Sequence, residues 1–230
     1  MNIPLSEESA GEVPVLEFKN VSFRWPGGKG LSDVSFAVPA GQFVLISGPS
    51  GAGKSTLLRL AVRLEEPVQG EIFIQGDSFQ SIFPPELRTR IGFVQQTPTV
   101  LAGTVRDNLL LPFTFDIRKG GRFPGDEELK YWLGRLALDD VDLDGEASEL
   151  SVGQRQRLCL IRSVLPKPVA ICFDEPTSSL DIESRKRVEE VAEELAADGV
   201  SILMVNHTSY HPGCPHMHLT VSNGRVEVLS

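Results

Sequence analysis

Apolar and polar residues alternate through Leu16, Phe18, Val21, Phe23 and Trp25, the period of a half-buried strand, until Pro26-Gly27-Gly28 breaks it. Leu31 to Val38 predicts its antiparallel partner. The pattern then changes to the continuous apolar run Phe43-Val44-Leu45-Ile46, and later to Val169-Ala170-Ile171-Cys172-Phe173, the kind of strand buried on both faces of a parallel sheet. Glu71 to Gln75, Ile91 to Val94 and Val200 to Val205 predict further strands. Helical periods fill the intervals: Lys54 to about Glu65, Pro85 to Arg90, Thr104 to Leu111, Asp126 to Leu138, Val152 to Leu165 and Ile182 to Ala197. The tail alternates at His218, Thr220 and Val221 and again from Arg225 to Leu229, around an Asn223-Gly224 hairpin turn. This order predicts an α/β fold: a doubly wound parallel core sheet, an antiparallel β edge on the N-terminal side, and a helical insertion over about 97–168. Residues 1–13 read as a disordered tail before a single domain over 14–230, and Lys119-Gly120-Gly121 as an exposed polar loop.

Composition narrows the function classes. With 22 basic and 31 acidic residues the net charge is −9, a poor basis for binding DNA or RNA, which depends on neutralising phosphates. No nucleic-acid partner is expected, and any nucleotide must be held by a local site. No run approaches the roughly eighteen apolar residues that cross a bilayer, and Met1 to Val13 lacks an apolar signal core, which predicts a cytosolic protein. Cys159, Cys172 and Cys214 are an odd number without a C-x-x-C pair, as in a reducing compartment.

Candidate chemistry begins between the first apolar run and the helix after it. Gly48-Pro49-Ser50-Gly51-Ala52-Gly53-Lys54-Ser55-Thr56 fits G-x-x-x-x-G-K-[ST] in the context of strand, turn and helix. Its glycines let consecutive backbone N–H groups line a concave anion site, completed by the positive end of the helix. Lys54 can then reach the β- and γ-phosphates of a bound nucleotide, and the Ser55 hydroxyl is placed to bind Mg²⁺. A Gly-rich turn with an incidental lysine is the plainer alternative.

The second apolar run ends in Asp174-Glu175, two carboxylates leaving the C-terminal end of a core strand, where α/β sheets bind ligands. Asp174 suits Mg²⁺ held through its water shell, and Glu175 suits a general base that polarises an attacking water. Alone, such a pair could merely open a loop.

With these residues in view the chain resembles the ATP-binding subunits of ABC transporters, P-loop NTPases with a parallel core sheet, an N-terminal antiparallel β subdomain and a helical subdomain that bears a signature. Leu150-Ser151-Val152-Gly153-Gln154 resembles that signature, usually Leu-Ser-Gly-Gly-Gln, and departs from it at Val152. The resemblance implies a head-to-tail homodimer formed on ATP binding, in which Ser151, Val152, Gly153 and Gln154 of one subunit close over ATP held by the other. A β-branched side chain where glycine allows close approach works against closure, but Ser151 and Gly153 remain.

The other roles follow from the same resemblance. Trp25 resembles the aromatic that stacks on adenine, although an edge-strand aromatic would also be half-buried there. Gln96 resembles the glutamine that senses Mg²⁺ or the attacking water, with Gln95 beside it as an alternative register. Ser178-Ser179-Leu180-Asp181 resembles the loop that crosses the dimer seam, with Ser179 and Asp181 as its polar members. His207 resembles the histidine that contacts the γ-phosphate, though alone it reads as an ordinary strand terminus.

The resemblance implies ATP hydrolysis with Mg²⁺, an integral-membrane permease as partner, and a place on the cytoplasmic face of the membrane. Gln96-Thr97-Pro98-Thr99 through Asn108-Leu109 and Pro112 is similar to bacterial ATPase subunits of the FetA type, associated with iron export. A soluble ABC ATPase of a cytosolic assembly, such as iron–sulfur cluster machinery, stays open, as does a nucleotide-binding module with little turnover. Finally, His207, His211, Cys214, His216 and His218 crowd into twelve residues. A surface turn accounts for that segment, and a soft divalent metal is the sharper alternative.

Overall fold

A computed structural model of the chain describes residues 13–115, 123–206 and 210–229. Residues 1–12 of the expected tail, the Lys119-Gly120-Gly121 loop and His207 lie outside the described residues.

The alternating N-terminal stretches form β1 (Leu16–Arg24) and β2 (Gly30–Val38), antiparallel and joined through Trp25 to Lys29. Phe18 stacks on Phe36 across the pair with ring centroids 4.7 Å apart. The apolar run that follows is β3 (Phe43–Ser47), and it belongs to a different sheet. β4 (Gln69–Ile74) returns to pair with β1, and β5 (Asp77–Ser78) completes a four-stranded antiparallel sheet in the order β2-β1-β4-β5. The N-terminal hairpin is thus not an edge of the core sheet, as its sequence suggests, but part of a second sheet. Its apolar face, Leu16, Phe18, Val21 and Phe23, covers the same core as one face of the parallel sheet, so the two sheets pack through side chains.

The main sheet runs β10-β9-β3-β8-β7-β6, with β6 (Ile91–Val94), β7 (Ala170–Asp174), β8 (Ser201–Val205) and β9 (His216–Ser222) parallel to β3 and only β10 (Arg225–Leu229) reversed. Every residue of β7 and β8 is buried, as their continuous apolar sequence requires. Successive side chains point to opposite faces. Val44, Ile46, Cys172, Leu203 and Val205 join a core with the antiparallel sheet and α1 (Lys54–Ala61), against which α2 (Pro84–Arg90) sets Leu87. Phe43, Ile171, Phe173, Ile202 and Met204 join the opposite core with α3 (Val105–Leu110), α4 (Asp126–Arg135), α5 (Val152–Val164) and α6 (Ile182–Ala197).

Two helices stop short of their predicted ends for one reason. After Ala61 the backbone turns left-handed at Arg63 (φ 51°), and Leu64 N–H donates to the Arg59 carbonyl at 2.8 Å while Arg63 N–H donates to Leu60 at 3.1 Å. After Arg135 the same pair of bonds forms around Ala137 (φ 51°), from Leu138 to Leu133 at 2.9 Å and from Ala137 to Gly134 at 3.1 Å. This is the Schellman stop, usually built on glycine. Arg63 and Ala137 give no such signal in the sequence.

Candidate active site

The backbone between β3 and α1 is left-handed at Gly48 (φ 141°), Gly51 (φ 76°) and Gly53 (φ 111°). Two of these glycines also answer to their neighbours. A Cβ on Gly48 would stand 2.1 Å from the Val221 carbonyl oxygen of β9, and one on Gly53 would stand 2.9 Å from Leu31 Cδ2. The loop is therefore moulded against both sheets before it meets any ligand. Gly53 precedes the first helical residue, Lys54, without a side-chain cap, which leaves the N–H groups of that first turn for an anion. Lys54 Nζ donates to the Gly48 and Pro49 carbonyls at 2.8 and 3.0 Å, arched back over the loop. Burial lowers the pKa of this amine, and the nearby charges of Glu175 and Asp174 oppose that shift.

Ser55, one residue further, donates from Oγ to Asp174 Oδ1 at 2.9 Å. Asp174 is the last residue of β7 and nearly buried, which raises its carboxyl pKa; Glu175 raises it further, while the Ser55 hydroxyl, Arg59 and Lys54 pull it down. The next residue, Glu175, is left-handed (φ 51°), a strained backbone for a residue with a Cβ. Its N–H donates to the Val205 carbonyl of β8 at 3.2 Å and its carbonyl accepts from Ser178 N–H at 3.3 Å, so both sides of the turn are fixed. Gln96, just beyond β6, donates from Nε2 to Glu175 Oε2 at 2.8 Å. The register of Gln96, not Gln95, faces Glu175.

Lys54, Ser55, Gln96 and Glu175 meet in one cleft of about 880 Å³, with Asp174 buried behind Ser55; Trp25, Pro49, Ser50, Ala52, Thr56 and Asn223 also line it. Trp25 stands on its wall, held by Nε1 donating to Thr56 Oγ1 at 3.2 Å and by an edge-to-face contact with Phe23 at 4.9 Å. The cleft brings together an N–H cradle, a cation, a hydroxyl–carboxylate pair and a glutamine–carboxylate pair. Such a set can hold a polyphosphate and position a water beside it. Ser55 and Asp174 are hard oxygen donors side by side, the chemistry that Mg²⁺ prefers.

The signature residues are not part of that cleft. Ser151 caps α5, accepting from Gln154 N–H at 3.2 Å while its own N–H donates to Gln154 Oε1 at 2.9 Å, a reciprocal capping box. Ser151 is exposed, and Val152 is 48% exposed with its side chain directed outward. A Cβ on Gly153 would meet Leu180 Cδ2 at 3.3 Å, so the signature rests against Ser179-Leu180-Asp181. Ser179 and Asp181 are exposed, and Asp181 caps α6 by accepting from Ser184 N–H at 2.9 Å, a bond that lowers its pKa.

The ABC transporter family matches residues 31–178. This chain belongs to that family. The ABC ATPase is 34% identical over 195 residues to the Escherichia coli (strain K12) "Probable iron export ATP-binding protein FetA", covering 84% of this chain and 85% of that one. It is also 34% identical over 203 residues to the Natronomonas pharaonis phosphate import ATP-binding protein PstB 3, covering 84% of this chain and 72% of the relative. Among solved structures, the ATP-binding cassette MJ0796, a dimer in a post-hydrolysis state bound to ADP and Pi, superposes with a TM-score of 0.78 at 28% identity, covering 92% of this chain and 96% of that one. The expected fold and ATPase class therefore hold, and dimers occur among its relatives.

Three features of this ABC ATPase escaped the sequence reading. Gly28, taken as no more than part of a turn, and Lys29, given no role, line the cleft beside Trp25, and Asn223 and Gly224 of the C-terminal hairpin line it from the other sheet. A lysine directly after a Pro-Gly-Gly turn next to the aromatic was the available signal. His218 lies with Nε2 2.7 Å from Ser47 Oγ, beneath the phosphate loop, while His216 turns its Nδ1 to the Cys214 carbonyl at 3.0 Å. Among the described residues no three His, Cys, Asp or Glu side chains converge as metal ligands, so the geometry gives the metal reading of 207–218 no support.

Proposed function

We propose that this ABC ATPase hydrolyses MgATP in a head-to-tail homodimer and drives a separate membrane permease that exports iron or another metal. The observation that carries the reading is the separation of two half-sites. The cradle, Lys54, Ser55, Gln96 and Glu175 share one cleft, with Asp174 buried behind Ser55, whereas Ser151 and Val152 stand exposed outside it and Gly153 is half-buried beside them. A second copy, turned end to end, would bring its signature over the first copy's nucleotide and its Ser179 and Asp181 to the seam.

In that arrangement Trp25 offers its ring to the adenine, the loop N–H groups from Gly48 to Thr56 and Lys54 hold the phosphates, and Ser55 and Asp174 hold Mg²⁺ with help from Gln96. When bound, Mg²⁺ would supply charge neutralisation for the phosphates. Glu175, fixed by its turn and by Gln96, takes the proton of the attacking water at a carboxylate oxygen. His207 would complete the γ-phosphate contacts.

An apolar groove supports a permease partner. It measures about 620 Å³ and is lined by Leu64, Ile91, Leu101, Pro112 and Phe115, with Arg88 and Arg162 at its margins. Leu64, Leu101 and Phe115 are 45%, 50% and 56% exposed, a contiguous apolar surface that water does not favour. It suits a helix presented on the cytoplasmic side of a membrane protein. Such docking would hold the ATPase at the inner face of the membrane; no described helix is long and apolar enough to cross one. The metal cargo and outward direction follow FetA. Affinity purification of the tagged full chain from detergent-solubilised cells should recover a polytopic membrane protein. Recovery of a soluble scaffold alone would replace transport with a cytosolic assembly role.

A further inference from the structure

One face of α5 carries hydrogen-bond donors at Gln156, Cys159, Arg162 and Ser163, the spacing of a single helical stripe. All four engage backbone carbonyls of the segment that surrounds Gln96. Gln156 Nε2 donates to Gln95 at 3.2 Å, Cys159 Sγ to Thr99 at 3.5 Å, Arg162 Nη2 to Thr99 at 2.8 Å and Ser163 Oγ to Phe93 at 3.4 Å. The helix that begins with the signature thus holds the strand end that leads to the cleft.

Gln156 occupies the decisive place. It is 2% exposed, its Oε1 is buried without a hydrogen-bond partner, and its one amide bond reaches the residue directly before Gln96. The Gln95 carbonyl can only accept, which fixes the amide end that faces it. A half-paired buried amide gains the fold little, because the unpaired carbonyl has lost its water. What it does supply is a directional tether. Gln96 in turn donates to Glu175 at 2.8 Å. The path from signature to carboxylate therefore runs through four residues: Gln156, the Gln95 backbone, Gln96 and Glu175.

We infer that Gln156 is a positioning residue for hydrolysis, which ties the seating of the signature helix to the placement of Gln96 against Glu175. This inference rests on the proposed roles of Gln96 and Glu175. Gln156 does not line the cleft; it sets the backbone from which Gln96 reaches.

A double-mutant cycle on the full chain tests it, with Gln156→Met, which keeps length but removes the donor, and Gln96→Ala. Gln156→Met should leave ATP affinity and KM near the parent values while kcat falls about tenfold. In the Gln96→Ala background the same substitution should cause no further loss, because its route is already cut. Additive losses in kcat, or an unchanged kcat in a folded Gln156→Met protein, would overturn the tether. Should Gln156→Met fail to fold, Gln156→Leu, which also carries no donor, takes its place in the cycle. A Gln96→Ala protein with parental kcat would instead remove the reading of Gln96 on which the tether depends.

Discussion

The Ser55 hydroxyl and the Asp174 carboxylate share a 2.9 Å hydrogen bond across the gap between α1 and β7, so two residues 119 positions apart present their oxygens together. Burial raises the Asp174 pKa in the folded protein, which means that the ionised carboxylate disfavours the nucleotide-free fold at neutral pH. That penalty is absent below the unfolded pKa and appears as pH rises through the raised folded value. Asp174→Asn keeps an acceptor for Ser55 and carries no charge. Its nucleotide-free melting temperature at pH 7 should exceed the parent's by a few degrees, and the gain should vanish below about pH 4, as thermal denaturation over a pH series would show. MgATP hydrolysis should fall sharply in the same variant.

Glu175→Gln preserves the acceptor for Gln96 and removes the proposed base. Turnover should fall about 100-fold or more while ATP still binds. Size-exclusion chromatography with ATP should then show an accumulated dimer. A turnover rate equal to the parent's would take Glu175 out of that role.

Val152 adds a β-branched side chain where a close approach is expected, and its outward direction in the free chain costs the fold nothing. Val152→Gly should tighten the ATP-bound dimer of the Glu175→Gln background by roughly fivefold, about 1 kcal/mol of removed steric conflict. The free chain should melt slightly lower, since glycine in the first turn of α5 costs roughly 0.5–1 kcal/mol. Sedimentation with ATP separates the two effects.

Gly48 cannot carry a Cβ, because one would lie 2.1 Å from the Val221 oxygen. Gly48→Ala must shift either the loop or β9, at a cost of about 2 kcal/mol or more. Calorimetry should record a lower melting temperature together with ATP affinity reduced at least tenfold.

Much of this site is legible in the linear chain because its chemistry is local. Gly48 to Thr56 form a cradle through consecutive backbone positions, and Asp174-Glu175 end a strand whose apolar run is plain. The pairings are a different matter. That Ser55 meets Asp174, or Gln96 meets Glu175, depends on strand order, and nothing in the run Ile91 to Val94 says that it lies beside β7. The tether at Gln156 is silent for the same reason, since a glutamine two residues past the signature looks like an ordinary helix-surface residue. The left-handed stops at Arg63 and Ala137 are hidden because their helix ends lack glycine, and the second sheet because alternation reports burial on one face without naming what covers it.

The close fit of Val221 against Gly48 has a consequence for synthesis. β9 lies more than 160 residues downstream of the loop it flanks, and its Leu219 and Val221 are wholly buried. During translation the cradle must wait, lacking one wall, until β9 has left the ribosome. A stalled nascent chain ending before His216 should retain no ATP on a nucleotide resin, whereas a chain extended past Leu229 by a flexible linker should. Competence to bind would then switch on as a late, single event.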